Sequence, residues 1–143
     1  MTRGILPRAA ASLLAIALVA PASGLDRRQR SVYITAGYEA RIASYGAPDE
    51  SCNAGAPPEI EVVERPSYGT LGNKPVRIIA DRSNMPRRDH PCIGKFIVAI
   101  AVYYRPTPGF HGSDRIRLRI KFDAATPAHA ATMLEDEIFI GVR

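Results

Sequence analysis

The stretch from Tyr104 to Ile120, YRPTPGFHGSDRIRLRI, constrains the fold more than any other part of the chain. From Arg115 to Phe122, Ile116, Leu118, Ile120 and Phe122 alternate without exception with Arg115, Arg117, Arg119 and Lys121. A period of two puts one set on each face of a strand, whereas a helix would scatter both sets around its axis. The residues before this run form a corner. Pro106 and Pro108 fix φ and withdraw two backbone donors, so no ladder can run on through them. Gly109 and Gly112 admit backbone angles that a Cβ forbids. Phe110, between turn formers, is expected to fold back as a plug on the core. Asp114 is expected to accept backbone N–H bonds of the turn.

Strand signals recur along the rest of the chain. SVYITAG (31–37), ARIASYG (40–46), EIEVVER (59–65), VRIIA (76–80) and DEIFIGV (136–142) are short and apolar on at least one face. In EIEVVER the period of two puts Ile60 and Val62 on one face and Glu59, Glu61 and Val63 on the other. KFIVAIAVYY (95–104) is apolar on both faces, which suits a central strand covered on both sides or bulged along its length. PSYGTLGNKP reads as a turn, and DESCNAGAPP and DRSNMPRRDHPC read as loops. DAATPAHAAT is a connection, and Ala128 to Leu134 is a weak candidate for one helical turn. Six or seven strands separated by Gly/Pro turns predict an antiparallel β-sandwich, with 31–143 as its single domain.

The first 22 residues have a different character. Arg3 and Arg8 precede an apolar run from Ala9 to Ala20, and small residues follow. This is the order of a secretory signal peptide. Twelve apolar residues as a helix span about 18 Å against a bilayer core of about 30 Å, so no transmembrane segment is expected in the mature chain. Cleavage is expected after Ala22, with Gly24 as the alternative, leaving a basic segment (23–30) ahead of the domain. Taking Arg3 and Arg8 from the 19 basic residues leaves 17 against 14 acidic ones, a net charge of +3. That is a weak electrostatic footprint, and no nucleic-acid partner is expected. Two cysteines remain, Cys52 and Cys92. An isolated pair in an exported chain points to a disulfide, the alternatives being two free thiols or, less simply, metal ligation.

The corner resembles a known signature. VYYRPTPGFHGSDRIRLRI is similar to the tyrosine–x–proline, glycine–phenylalanine–x–glycine–x–aspartate motif of bacterial cadherin-like, immunoglobulin-like domains. Tyr104, Pro106, Gly109, Phe110, Gly112 and Asp114 match it position by position. Pro66, Gly69 and Thr70 resemble the proline–x–x–glycine–threonine turn of the same domains, and DEIFIGV resembles their last strand. Cys52 and Cys92-Ile93-Gly94 fit a single-domain exported variant with a cysteine pair. The resemblance spans about 31–143. It implies an immunoglobulin-like sandwich in a periplasmic or secreted protein, and it is nearly silent on activity, because the matching residues are turn formers and core. Here the strand after the corner carries basic residues outward where such domains usually carry Thr, Ser and Tyr. The acidic sequences of calcium-binding cadherins are absent, so calcium does not carry over.

Candidate chemistry is sparse. Arg115, Arg117, Arg119 and Lys121 would form a basic stripe of about 20 Å, since alternate residues on one strand face lie about 7 Å apart. Such a stripe suits an anionic polymer or lipid, because arginine pairs bidentately with phosphate and carboxylate. The plainer reading, and the preferred one, is a solvated face balanced by glutamates such as Glu59 and Glu61. His90, His111 and His129 fall on different loops with no close-spaced pair for zinc. A His111–Asp114 dyad has no recognisable Ser or Cys nucleophile beside it. Glu135, Asp136 and Glu137 read as a solvated strand start, and DRSNMPRRDHPC as the best-placed binding loop. No cofactor and no metal are expected. The expectation is a non-catalytic interaction module contacting a protein or an envelope polymer. The alternatives are an electrostatic binder of anionic glycans or lipids, and a small hydrolase or metal enzyme.

Overall fold

The computed structural model describes residues 25–123 and 133–143. The expected leader and the 124–132 connection, with His129, lie outside them. Seven strands follow in order: β1 (Leu25–Ile34), β2 (Ala40–Gly46), β3 (Glu59–Glu64), β4 (Gly69–Ile79), β5 (Phe96–Pro106), β6 (Gly112–Lys121) and β7 (Met133–Val142). They form a four-stranded sheet, β1-β7-β6-β3, and a three-stranded sheet, β2-β5-β4. The chain is an all-β, immunoglobulin-like sandwich of seven strands with one disulfide, Cys52–Cys92. Four of the five strand pairs are antiparallel. The pair β1–β7 is parallel, with Leu25 opposite Met133 and Ile34 opposite Val142.

The alternation read from the sequence is what joins the sheets. Ile116, Leu118 and Ile120 of β6 and Ile138 and Ile140 of β7 are fully buried against Tyr45, Val102 and Tyr104 of the other sheet. A second, smaller core of Ala80, Met85, Cys92 and Ile97 lies under the connection between β4 and β5. The disulfide, with Cα atoms 5.5 Å apart, fastens that connection to the one after β2.

Several strand limits differ from the sequence expectation: β6 begins at Gly112 and β7 at Met133, so Met133 and Leu134 are strand and not part of a helical turn. The first strand begins at Leu25 rather than Ser31, so the basic segment is part of the sheet. β4 takes up most of the stretch expected to be a turn, running from Gly69 through Pro75. It is an edge strand, where a missing proline N–H need not break a ladder. In β3 the register against β6 shifts between Val62 and Glu64. That bulge sets Glu64, not Val63, opposite Arg117, so Glu59, Glu61 and Glu64 all meet the cations of β6.

Candidate functional site

The corner is a clasp. Asp114 is buried and accepts backbone N–H bonds from Ser67 (3.0 Å), Tyr68 (2.9 Å) and Arg115 (2.9 Å), with the Tyr104 hydroxyl donating at 2.9 Å. Ser67 and Tyr68 belong to the turn between β3 and β4, so the carboxylate mostly fastens a neighbouring turn, not its own. Burial alone would raise this carboxyl, and the donors outweigh it and hold it below the usual carboxylate range. Burial and the adjacent Asp114 push the Tyr104 phenol above its ordinary value. Phe110 packs against the core and stacks on Tyr68, ring centroids 4.4 Å apart. A Cβ on Gly69 would run into the Tyr104 ring. Pro106 closes β5, and Gly109 and Gly112 both have positive φ. His111 is exposed beside this clasp, and both Asp114 oxygens already accept structural donors. The corner residues therefore act on the fold.

The basic stripe lies on the outer face of the four-stranded sheet, between two acidic rows. Arg115 pairs with Glu64 at 2.6 Å and Glu137 at 3.5 Å, and Arg117 with Glu64 at 3.0 Å. Arg119 pairs with Glu135 at 3.0 Å and Glu61 at 3.5 Å, and Lys121 with Glu59 at 3.3 Å and Glu61 at 3.4 Å. Hydrogen bonds from Arg115 and Arg117 lower the Glu64 carboxyl, and one from Arg119 lowers Glu135. All four cations have carboxylate partners, which is the balanced face anticipated from Glu59 and Glu61.

Asp136 departs from the expected solvated strand start. Glu135 and Glu137 face outward, but Asp136 is fully buried. Arg30 reaches it at 2.5 Å and the Tyr45 hydroxyl donates to it at 2.7 Å. Burial, and then the charge of Asp136, keep the Tyr45 phenol protonated well above its usual range. A buried carboxylate on a core face demands such partners.

Arg30 leads to a groove along the first strand. Its guanidinium and that of Arg28 both donate to the Ser83 carbonyl at 3.2 Å, and Arg28 donates to the Met85 carbonyl at 2.9 Å. The groove, of about 410 Å³, is lined by Arg27, Arg28, Gln29, Arg30, Arg82, Ser83 and Arg88. The long β4–β5 connection thus forms its far wall. Asn84, Met85 and His90 of that connection are buried, and the backbone N–H of Gly46 donates to the Asn84 carbonyl at 2.7 Å. Asn84 and His90 are therefore structural, while Arg82, Arg88 and Asp89 are exposed to solvent.

β5 is not covered on both sides. Phe96 is 60% exposed and Val98 50%. Across the ladder they face Ile79, 54% exposed, and Arg77, whose guanidinium sits 5.0 Å from the centre of the Phe96 ring. The same strip continues through Val98 into an apolar cleft of about 290 Å³, lined by Ala47, Pro57, Pro58, Pro75 and Ile100 among others. Among the described residues, no three or more His, Cys, Asp or Glu side chains are grouped to hold a metal ion. No helix among them is long and apolar enough to cross a membrane. No protein-family model, curated protein or solved structure matches the chain.

Proposed function

We propose that this chain is an exported, non-catalytic interaction module of the cadherin-like, immunoglobulin-like kind, and that its contact surface is the uncovered face of β4 and β5. The observation that carries this is the exposed pair of rungs Ile79–Phe96 and Arg77–Val98. Single exposed apolar residues are ordinary, but adjacent ones continuous with an apolar cleft mark a binding surface. The partner that fits is a protein presenting an apolar strip flanked by carboxylates. Arg77 over the Phe96 ring and the exposed Lys95 beside it supply the complementary charge. Docking is through side chains: Pro75 interrupts the donors of the β4 edge, which disfavours extension of the sheet by a partner strand. The paired charges on β6 make the outer face of the other sheet a poor competitor for this role.

The test compares capture of envelope proteins by the mature domain and by a Phe96→Ser, Ile79→Ser double variant. The reading predicts a partner held by the first and lost from the second, with Arg117→Ser retaining it. Equal capture by all three overturns the assignment of the surface.

A further inference from the structure

The groove between β1 and the β4–β5 connection is a separate feature with its own chemistry. Five arginines line it and no carboxylate does. Like charges gathered in one groove repel unless anions join them; Arg27, Arg28 and Arg30 each have a carboxylate partner from outside the groove lining, and Arg82 and Arg88 have none among the described residues. Two of the five are fixed in place. Arg30 is held between the buried Asp136 carboxylate and the Ser83 carbonyl, and Arg28 between the Ser83 and Met85 carbonyls and Asp26. Arg27 is 77% exposed and, among the described residues, pairs with Glu135 alone, at 3.7 Å. Arg82 and Arg88 are exposed and have no hydrogen bond or ion pair within the described residues. Their donors remain available to a ligand. The disulfide and the buried Met85 hold their loop in position opposite the strand.

We propose that this groove binds a phosphoryl group. A single guanidinium satisfies both oxygens of a carboxylate, but a phosphoryl group has three oxygens and up to two charges to share among several guanidiniums. A wall of converging arginines with few acids fits the second better. The group can be carried by a soluble or polymeric phosphate or by a lipid headgroup. Arg30 and Ser83 also border a cleft that reaches Arg77, Ile79 and Phe96, but Arg27, Arg82 and Arg88 do not, so the proposal does not depend on the reading given to the β4–β5 face.

The test measures binding of pyrophosphate and of malonate to the mature domain by titration calorimetry, at low salt and again at raised salt. Pyrophosphate should bind more tightly than malonate and should weaken as salt screens the charges. Arg82→Ser with Arg88→Ser, both exposed and harmless to packing, should reduce pyrophosphate affinity at least tenfold, while Val98→Ser leaves it unchanged. Sedimentation with phosphatidylcholine vesicles, with and without phosphatidylglycerol, separates the sources. Retention only on the anionic vesicles, lost in the double variant, assigns a lipid headgroup; pyrophosphate binding without retention assigns a soluble or polymeric phosphate. The proposal is overturned if pyrophosphate does not bind at millimolar concentration, if malonate binds as tightly, or if the double variant binds undiminished.

Discussion

The Tyr104 hydroxyl donates to the Asp114 carboxylate at 2.9 Å, and through that bond the end of β5 is tied to the start of β6. The same carboxylate collects Ser67 and Tyr68 from the β3–β4 turn, so one side chain joins three pieces of backbone across the sandwich. Removing it as Asp114→Ala strands buried donors and should cost about 2–4 kcal/mol, read as a drop in urea midpoint.

The same aspartate gives a pH signature. Its folded pKa lies below its unfolded value of about 3.9. Its contribution is therefore full above that value and is lost as the pH falls through the folded pKa. Asp114→Asn should be less stable than wild type at pH 7, and the gap should narrow as the pH drops below about 4. A constant gap from pH 7 to pH 2 would show that the charge is immaterial.

Asp136 makes a sharper case, because both its partners are side chains. Asp136→Leu leaves Arg30 with half its anchors and should destabilise by about 3–5 kcal/mol. Arg30→Met alone leaves a buried carboxylate uncompensated and should cost a similar amount. The double variant should recover part of the loss, and a strictly additive cycle would contradict the coupling.

The ladder on the outer sheet face should contribute little for its size. Arg117→Ser removes one exposed ion pair with Glu64 and should leave the urea midpoint nearly unchanged. Arg119→Ser should behave alike. A larger loss in denaturant unfolding would mean that the network acts as a unit.

The disulfide should matter more. The chain-entropy argument gives about 4 kcal/mol for a loop of 40 residues as an upper figure. Cys52→Ser with Cys92→Ser should lower the thermal midpoint and, in hydrogen exchange, expose Ala80, Ile93 and Gly94 before the β6–β7 ladder. Uniform exchange across both sheets would contradict this local anchoring.

What the sequence made legible follows from its periods. Residues 115–122 read as a strand because nothing interrupts their alternation, and the corner read correctly because Pro106, Gly109 and Gly112 restrict the backbone locally. The half of β1 from Leu25 to Arg30 carried no apolar period. Its inward residues are Asp26, Arg28 and Arg30, and apart from the Asp26–Arg28 pair the partners of the two arginines come from residues more than 50 positions away. Asp136 shares its parity with Ile138 and Ile140, so the alternation of DEIFIGV already placed it inward; its charge argued the other way. The bulge that turns Glu64 outward and the bare flank of Phe96 and Val98 depend on register and on the reach of the opposite sheet, which no local pattern encodes.

The central claim is that the β4–β5 face meets a partner protein. A photo-crosslinking residue installed at Val98, compared with one at Arg117, tests it most directly in cells that make the protein. The account predicts a discrete adduct with another protein from position 98 and none from position 117. Crosslinking from 117 alone, or from neither position, would contradict it.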